Sequence, residues 1–480
     1  MNYDLSGIVD IVYDSRKAKE NTAFVCLVGA ASDGHDYAKA AYEKGSRLFF
    51  AQRELGLPCD AKVVICRDTR IALAEISRQF FAYPDKKLKI IGITGTKGKT
   101  TTSNMIAQII NNCGKNAAVI GTNGIYINGE HTPTVNTTPE SNELYRTFDK
   151  MVKAGCDYCV MEVSSQAVKL NRIHGIEFEI GVFTNLSPDH ISDIEHKTYE
   201  EYRECKSGLF ARSRISVINI DDDDSPYMVE AAKGEVYGIS LKKGDFSAEN
   251  IQKYSTSSVL GMSFMCKNNG VSVELKTSTP GIYSVYNALT VFSVCRLLGF
   301  NAVDIAKHLP HCRVNGRFEI VDALPYATFI IDYAHNGISL ESVLRTLKEY
   351  DPSRLTVLFG SVGERTQMRR KELAEAAAKF ADLAIVTSDN PGAEDPETII
   401  DEICLHLGDL PYVRYAEREK AIEYAVNSAV EGDVILLAGK GHETYQLIGK
   451  EKVPFCERDI LISSANKIGS ILNVGVKPNR

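Results

Sequence analysis

Tryptophan is missing from this chain of 480 residues, and so is any run of about 18 apolar residues. The second absence excludes a membrane-spanning helix. An internal repeat and a low-complexity tract are also lacking, which excludes solenoid and fibrous architectures. Positive charge is in deficit: 55 lysines and arginines against 62 aspartates and glutamates leave a formal charge of −7. That balance favours solubility and argues against a general polyanion-binding surface, so no nucleic-acid partner is expected. The first residues carry no basic stretch followed by an apolar one, so no membrane insertion is expected and the expected location is cytoplasmic. Pairing is scarce among the 12 cysteines, which are scattered in settings such as Val25-Cys26-Leu27 and Val64-Ile65-Cys66. Buried free thiols of a reducing compartment are the default for that pattern. Cys156 and Cys159 form a CxxC, but it has no second pair and runs into a strand-like segment, so no metal or redox role is read there.

What is present is ordinary for a soluble enzyme, 44% hydrophobic and 24% charged residues, on a chain too long for one core. About three domains are expected. The chain is organised around Ile90-Ile91-Gly92-Ile93-Thr94-Gly95-Thr96-Lys97-Gly98-Lys99-Thr100-Thr101-Thr102. An apolar run leads in, a glycine-rich turn follows, and a helical segment from Ser103 to Asn112 leads out. This is the setting of a phosphate-binding loop, whose backbone N–H groups surround phosphate oxygens while the helix N-terminus adds its positive dipole end. Lys99 is placed to reach the outer phosphates and the Thr100 hydroxyl to bind Mg2+. The strict G-x-x-x-x-G-K-[ST] pattern fails, because Ile93 stands at its first glycine. A bare glycine turn would be only a tight strand-to-helix connection. Lys99-Thr100 in register makes nucleotide binding the stronger reading.

Residues 1–88 hold short apolar runs, Thr22 to Val28, Leu48 to Ala51 and Lys62 to Cys66. Tyr13-Asp14-Ser15-Arg16 and Gly29-Ala30-Ala31-Ser32-Asp33-Gly34 lie at strand ends, where loops carry ligands. Pro84-Asp85-Lys86-Lys87 reads as a polar linker. In residues 89–312, strands are expected at Ala117 to Gly121, Tyr158 to Val163, Val182 to Asn185 and Ser216 to Ile220. Glu162 is a carboxylate at a strand's end downstream of the loop, where a second Mg2+ ligand belongs. Asp221 to Asp224 lack the alternation of a calcium loop and read as a solvated turn capping the next helix. In residues 313–480, strands Ala327 to Ile331, Leu355 to Phe359, Leu383 to Val386 and Val434 to Leu437 alternate with helical segments, as in a mostly parallel, doubly wound sheet. Polar or glycine-rich sequence follows each: Asp332 to His335, Gly360 to Arg365, Ser388 to Pro391 and Gly439 to Glu443. Ligands of open α/β sheets collect at that edge.

These pieces in this order resemble the Mur ligases, ATP-dependent amide ligases of bacterial cell-wall precursor synthesis, and among them those that add the third stem-peptide residue. The resemblance covers essentially the whole chain. It includes Tyr13 to Arg16, Thr94 to Thr100, Asn136-Thr137-Thr138-Pro139, Met161 to Ser165, Thr184 to His190 and Tyr202 to Phe210 around Lys206. It continues through Val285 to Leu289, Gly316-Arg317, Asp332 to His335, Ser388-Asp389-Asn390-Pro391 and Gly441-His442-Glu443. The resemblance implies an α/β fold of three domains. They are a UDP-substrate-binding domain (1–88), a central P-loop ATPase with a mostly parallel sheet (89–312), and a C-terminal Rossmann-like domain that binds the amino acid (313–480). It implies that ATP phosphorylates the terminal carboxylate of a UDP-muramoyl dipeptide, and that an amino acid's amine displaces phosphate from the acyl phosphate.

By the same resemblance, Lys99, Glu162, His190 and Lys206 are catalytic. Thr100 and Glu162 hold one Mg2+; His190 and Lys206 serve a second. A lysine cannot ligate a cation as an ammonium, so Lys206 is expected to carry a CO2-derived carbamate, which forms on a neutral amine. Gly95, Thr96, Lys97, Gly98, Lys99, Thr100, Thr101, Asn287, Arg317 and Asp332 are expected around ATP. Tyr13, Ser15, Ala30, Ala31 and Ser32 are expected at the UDP end of the substrate, and Asn136, Thr137, Thr138, Ser164 and Arg172 at the muramoyl peptide. Small-molecule substrates and a monomer are expected.

The amino acid falls to Arg365, Asp389, Asn390, Gly392, Gly439 and Glu443. Relatives that add meso-diaminopimelate carry an arginine after Asp-Asn-Pro, where this chain has Gly392. With that cation gone and Asp389 and Glu443 unpartnered, L-lysine is the expected substrate, L-ornithine an option and meso-diaminopimelate the alternative. Among rival readings, a folylpolyglutamate synthase lacks the UDP-binding segment, and a phosphate-loop switch leaves Lys206, His190 and the last domain unexplained. An inactive paralogue is at odds with intact Lys99, Glu162, His190 and Lys206.

Overall fold

The computed structural model of the chain describes residues 3–29, 32–188, 191, 195–256, 259–364 and 367–474. Its first sheet is parallel, with strands β1 (Asp10–Val12), β2 (Thr22–Val25), β3 (Leu48–Ala51) and β4 (Lys62–Ile65) side by side in that order. Successive strand residues face opposite sides, and both sides are covered. Ile11, Ala23, Val25, Leu48 and Phe50 pack on one face, and Val12, Phe24, Phe49 and Ala51 on the other. That two-sided burial is why the strands read as unbroken apolar runs. The segment Pro84–Lys87 is not a linker. It is a single 3-10 turn with Pro84 and Asp85 buried, and Arg78 donates to the Asp85 carboxylate at 2.8 Å.

The second sheet supplies the loop. Its strands are β5 (Lys89–Thr94), β6 (Ala117–Gly121), β7 (Gly124–Ile127), β8 (Glu130–Thr132), β9 (Tyr158–Glu162), β10 (Phe178–Phe183), β11 (Ser213–Asn219) and β12 (Glu235–Ser240). They run in the order β12-β11-β10-β5-β9-β6-β7-β8, parallel from β12 to β6, with β7 and β8 added antiparallel. The loop therefore leaves the carboxyl end of a strand flanked by β9 and β10. The strand expected at Val182 to Asn185 is instead Phe178–Phe183; the Thr184 N–H still bonds the Thr94 carbonyl, and Asn185 turns away to bond the loop. Three further strands follow, β13 (Phe246–Thr256), which pairs parallel with β12, β14 (Val259–Asn268) and β15 (Val271–Thr277), and the chain passes between two compact units within them. The first unit comprises residues 1–249, 266–273 and 286–309; the second comprises 250–265, 274–285 and 310–480.

Asp221 to Asp224 do more than cap a helix. Asp224 sits at the cap of Ser225–Ala231 without a side-chain cap bond, while Asp222 accepts from the Leu186 N–H at 2.9 Å. Asp221 accepts from the Leu241 N–H at 2.7 Å and the Tyr286 hydroxyl at 2.9 Å. The acids satisfy backbone donors that would otherwise be lost to water.

In the second unit, β16 (Glu319–Leu324), β17 (Ala327–Asp332), β18 (Arg354–Phe359), β19 (Leu383–Thr387), β20 (Tyr412–Tyr415) and β21 (Asp433–Ala438) form a sheet of order β16-β17-β21-β18-β19-β20. Only β16 is antiparallel to its neighbour. Helices Gly337–Lys348, Gln367–Phe380 and Pro396–Cys404 cover one face, and Arg418–Asn427 and Glu457–Val474 the other. A hairpin of β22 (Tyr445–Ile448) and β23 (Glu451–Pro454) follows. Among the described residues no helix is long and apolar enough to cross a membrane.

Candidate active site

Between β5 and helix Lys99–Asn112 the backbone turns through Gly95 (φ +149°) and Gly98 (φ +86°). A Cβ on Gly95 would lie 1.9 Å from Thr184 Oγ1, so only glycine lets the loop close here. The segment after β10 fixes the rest. Thr96 and Lys97 donate their N–H groups to the Asn185 carbonyl and Oδ1 at 2.8 and 2.9 Å, and Thr184 Oγ1 donates to the Lys97 carbonyl at 2.7 Å. Lys99 Nζ folds back onto the carbonyls of Gly95 and Thr96, at 2.8 and 3.0 Å. Thr100 is buried in the first helical turn, and Thr101 is half-buried beside it. Asn287 lies inside helix Ile282–Leu297, and its Oδ1 accepts from Thr102 at 3.4 Å beside Gly98.

Lys206 is not the surface lysine its helical sequence suggests. Helix Tyr199–Ser207, capped by Thr198, buries the face carrying Tyr202 and Lys206, and Lys206 is 2% exposed. Its Nζ donates to the Gly95 carbonyl at 2.8 Å and lies 4.5 Å from the Tyr202 ring centre. The Tyr202 hydroxyl is 3.1 Å from Thr96 Oγ1, so this helix grips the phosphate loop twice.

Glu162 ends β9 with its side chain fully buried. Thr122 donates to both carboxylate oxygens, the N–H at 2.9 Å and the hydroxyl at 3.1 Å, and no described cation pairs with it. A buried carboxylate held this way suits a divalent cation. Among the described residues no three of His, Cys, Asp and Glu gather as a metal site, and His190 lies outside them.

Thr137, Thr138 and Ser164 adjoin Glu162. Thr137 Oγ1 is 3.1 Å from Thr122 Oγ1, Thr138 donates to the Glu162 carbonyl at 2.9 Å, and Ser164 caps helix Ser165–Lys169. Arg172 arrives already engaged, donating to Glu140 at 2.9 Å and to the Thr138 carbonyl at 3.0 Å. Asn136 is exposed. Tyr13 donates to Glu143 at 3.3 Å and lines a cavity with Asp14, Lys17, Asn142 and Arg146; burial, with Glu143 beside it, pushes its phenol well up. Ser15 opens a turn capped by Asp14, and the carbonyl of exposed Ser32 accepts from the Gly29 N–H at 2.9 Å. Ala30, Ala31 and Arg365 lie outside the described residues.

His196 carries no functional signal in the sequence. Hidden between Glu195 and Lys197, it is fully buried, with Nε2 2.8 Å from Ser165 Oγ and its ring centre 5.3 Å from that of Tyr202. Burial pulls its pKa down.

In the second unit, Asp332 accepts from the Phe318 and Ala334 N–H groups at 2.8 and 2.9 Å, and Arg317 lies over the Tyr333 ring. The ends of β19 and β21 bring Asp389, Asn390, Gly439 and Glu443 together around Lys440, which the sequence alone does not single out. Its side chain is fully buried, and its Nζ donates to Asn390 Oδ1 at 2.8 Å and to Glu443 Oε2 at 2.7 Å, with Asp389 Oδ1 at 3.7 Å. The premise of the lysine expectation therefore fails, because Asp389 and Glu443 already face a cation. Gly392 (φ +59°) is pinned to the hairpin, donating to the Leu447 carbonyl at 3.1 Å and accepting from the Gly449 N–H at 2.6 Å. Arg370 approaches the same loop through Glu394 at 2.7 Å, and its other bond, also 2.7 Å, goes to Glu402.

Three family models match the chain: the Mur ligase family catalytic domain over residues 8–81, the Mur ligase middle domain over 93–295, and the Mur ligase glutamate ligase domain over 316–441. Over 465 residues the chain is 40% identical to the UDP-N-acetylmuramoyl-L-alanyl-D-glutamate--2,6-diaminopimelate ligase of Clostridium perfringens, covering 95% of this chain and 94% of that one. The protein of the same name from Geobacillus thermodenitrificans is 40% identical over 468 residues, 94% of each chain. A solved structure of a ligase of that name matches with TM-score 0.72 at 28% identity, covering 96% and 95% of the two chains. MurF from Acinetobacter baumannii shares the fold, with TM-score 0.61 at 19% identity over 90% of each chain.

Proposed function

The chain belongs to the Mur ligase family and is an ATP-dependent ligase; on that footing we propose that it joins meso-diaminopimelate to UDP-N-acetylmuramoyl-L-alanyl-D-glutamate. Two things support this substrate over L-lysine. Relatives 40% identical along nearly the whole chain carry the name of diaminopimelate ligases. The observation that carries the reading is Lys440, whose ammonium already serves Asn390 and Glu443 and stands near Asp389, so the two acids are not without a cation, as the lysine expectation required.

In the proposed reaction a carboxylate oxygen of the dipeptide attacks the γ-phosphorus of ATP and ADP leaves. The amine then attacks the acyl carbon, loses a proton, and phosphate leaves an amide. Lys99 and the N–H groups of Gly98 to Thr100 would hold phosphate oxygens, and Asn287 would brace the loop at Gly98. Thr100 and Glu162 fit Mg2+, which when bound neutralises charge on the phosphates. Lys206 as its carbamate, with His190, would serve a second Mg2+; burial against the loop supports that role. Residues 1–88 would take the UDP end, 89–312 the ATP and 313–480 the amino acid. In the second unit, Arg317 and Asp332 are proposed as nucleotide-binding residues, with Asp332 holding the turn at Phe318 and Ala334.

The test supplies meso-diaminopimelate, L-lysine and L-ornithine in parallel, with UDP-muramoyl dipeptide and ATP, and measures ligated product. Diaminopimelate should be strongly preferred. A preference for lysine would return the assignment to the expectation drawn from Gly392.

A further inference from the structure

Lys440 is unusual chemically. It sits between two glycines in a loop, where a lysine normally points to water, yet its side chain is fully buried. Burial of an ammonium is costly unless acceptors surround it. Here they come from two separate strand ends. Asn390 Oδ1, after β19, accepts from Nζ at 2.8 Å, and Glu443 Oε2, after β21, accepts at 2.7 Å. Asn390 is oriented from both sides, because its Oδ1 also accepts from the Leu447 N–H at 2.9 Å and its Nδ2 donates to Glu443 Oε2 at 2.9 Å. Asp389 Oδ1 lies 3.7 Å from Nζ and makes no hydrogen bond at all, although it is buried. The cluster thus holds one internal cation against two carboxyl groups, with Asn390 locked between them.

We infer that Lys440 is a specificity-determining residue: its buried ammonium occupies the electrostatic place a substrate's lone ammonium would fill, and so biases the amino-acid site toward a side chain that ends in both an ammonium and a carboxylate. This rests on the placement of the amino acid at Asp389, Asn390 and Glu443 given above. A lysine side chain brings a second ammonium toward a charge of its own sign, and like charges placed together are disfavoured. A distal carboxylate is drawn by the same cation, while its neighbouring ammonium still finds acceptors in the carboxyl oxygens Lys440 leaves over. Such a site selects a zwitterionic end without the arginine that Gly392 replaces. A lysine that only held the loops together would act on every amino acid alike.

The experiment compares kcat/KM for meso-diaminopimelate, L-lysine and L-norleucine, which lacks the distal charge, in wild type, K440M and K440Q. In wild type, lysine should be no better than norleucine within about threefold, whereas K440M and K440Q should raise the lysine-to-norleucine ratio about tenfold or more and lower the diaminopimelate-to-lysine ratio by a similar factor. Ratios that stay within about threefold of wild type while all activities fall together would overturn the inference and leave Lys440 a structural residue. Should both variants fail to fold, as judged by their melting transitions, the wild-type series decides: lysine exceeding norleucine by more than about tenfold overturns the inference, and equality sustains it. Lysine preferred over diaminopimelate yet equal to norleucine would refute the proposed substrate alone. Diaminopimelate preferred with ratios unmoved in K440M would refute the role of Lys440 alone.

Discussion

Lys99 and Lys206 donate to one and the same oxygen, the carbonyl of Gly95, each at 2.8 Å. One comes from the helix the loop opens, the other from a helix 111 residues beyond Gly95. Burial holds the Lys206 amine against the loop, where the proposed carbamate would stand. Replacing Lys206 by alanine should lower kcat by about 100-fold or more, with partial recovery on adding small carboxylate anions. Ligase turnover with and without the anions is the measurement. Full activity without them would remove the carbamate role.

Thr122 is the residue that aims Glu162, through an N–H and a hydroxyl on separate oxygens. Chelation of Mg2+ should abolish turnover. T122V keeps the N–H bond and loses the hydroxyl, so the Mg2+ concentration for half-maximal rate should rise about tenfold, the usual scale for a residue that orients a metal ligand. E162Q keeps the shape and loses the charge, and should cost more than T122V in the same titration. Equal Mg2+ dependence in all three proteins would separate Glu162 from the cation.

Gly95 allows a sharper steric test. Its alanine variant would place Cβ 1.9 Å from Thr184 Oγ1, and the loop must shift as a unit because Thr184 also bonds the Lys97 carbonyl. G95A should bind ATP at least about tenfold more weakly. The double variant G95A/T184S keeps the hydroxyl and the clash, whereas G95A/T184A removes both hydroxyl and methyl and should recover part of the affinity. Binding of a fluorescent ATP analogue reads all three.

The glycine turn between β5 and its helix was legible because its residues, Thr94 to Thr100, are consecutive and need no partner from elsewhere to be recognised. Parallel strands such as β2, β18 and β21 were legible because burial on both faces leaves unbroken apolar runs. Lys440 was not, since its burial depends on Asn390, 50 residues earlier in the chain. His196 was hidden by charged neighbours, and nothing local signals that it turns inward to Ser165 and Tyr202. Pro84-Asp85 read as a linker because Arg78, the partner of buried Asp85, lies on the preceding helix and carries no mark of that pairing. Charge and turn composition report what a residue can do in water; they say little where a distant partner removes the water.

Arg418 and Glu457 form such a hidden pair beneath the loops that carry Asp389 and Lys440. Both side chains are buried, with Arg418 Nε and Nη2 donating to Glu457 Oε1 at 2.9 and 2.7 Å. Arg418 also donates to the Ser388 and Ala438 carbonyls at 3.1 and 2.8 Å, the residues just before Asp389 and Gly439. R418M strands a buried carboxylate and should cost about 3–5 kcal/mol, whereas R418M/E457L removes both charges and should recover much of it. It should not recover all, because two carbonyls lose their donor. The pH dependence follows from burial, which, opposed by Arg418, raises the Glu457 carboxyl above its ordinary value. A carboxyl with a raised folded pKa contributes fully below its unfolded pKa, and that contribution is lost as pH rises through the folded value. Without Arg418 the rise is larger, so the gap in melting temperature between wild type and R418M should widen from pH 5 to pH 8. A gap that stays constant over that range would mean that Arg418 acts only through the two carbonyls.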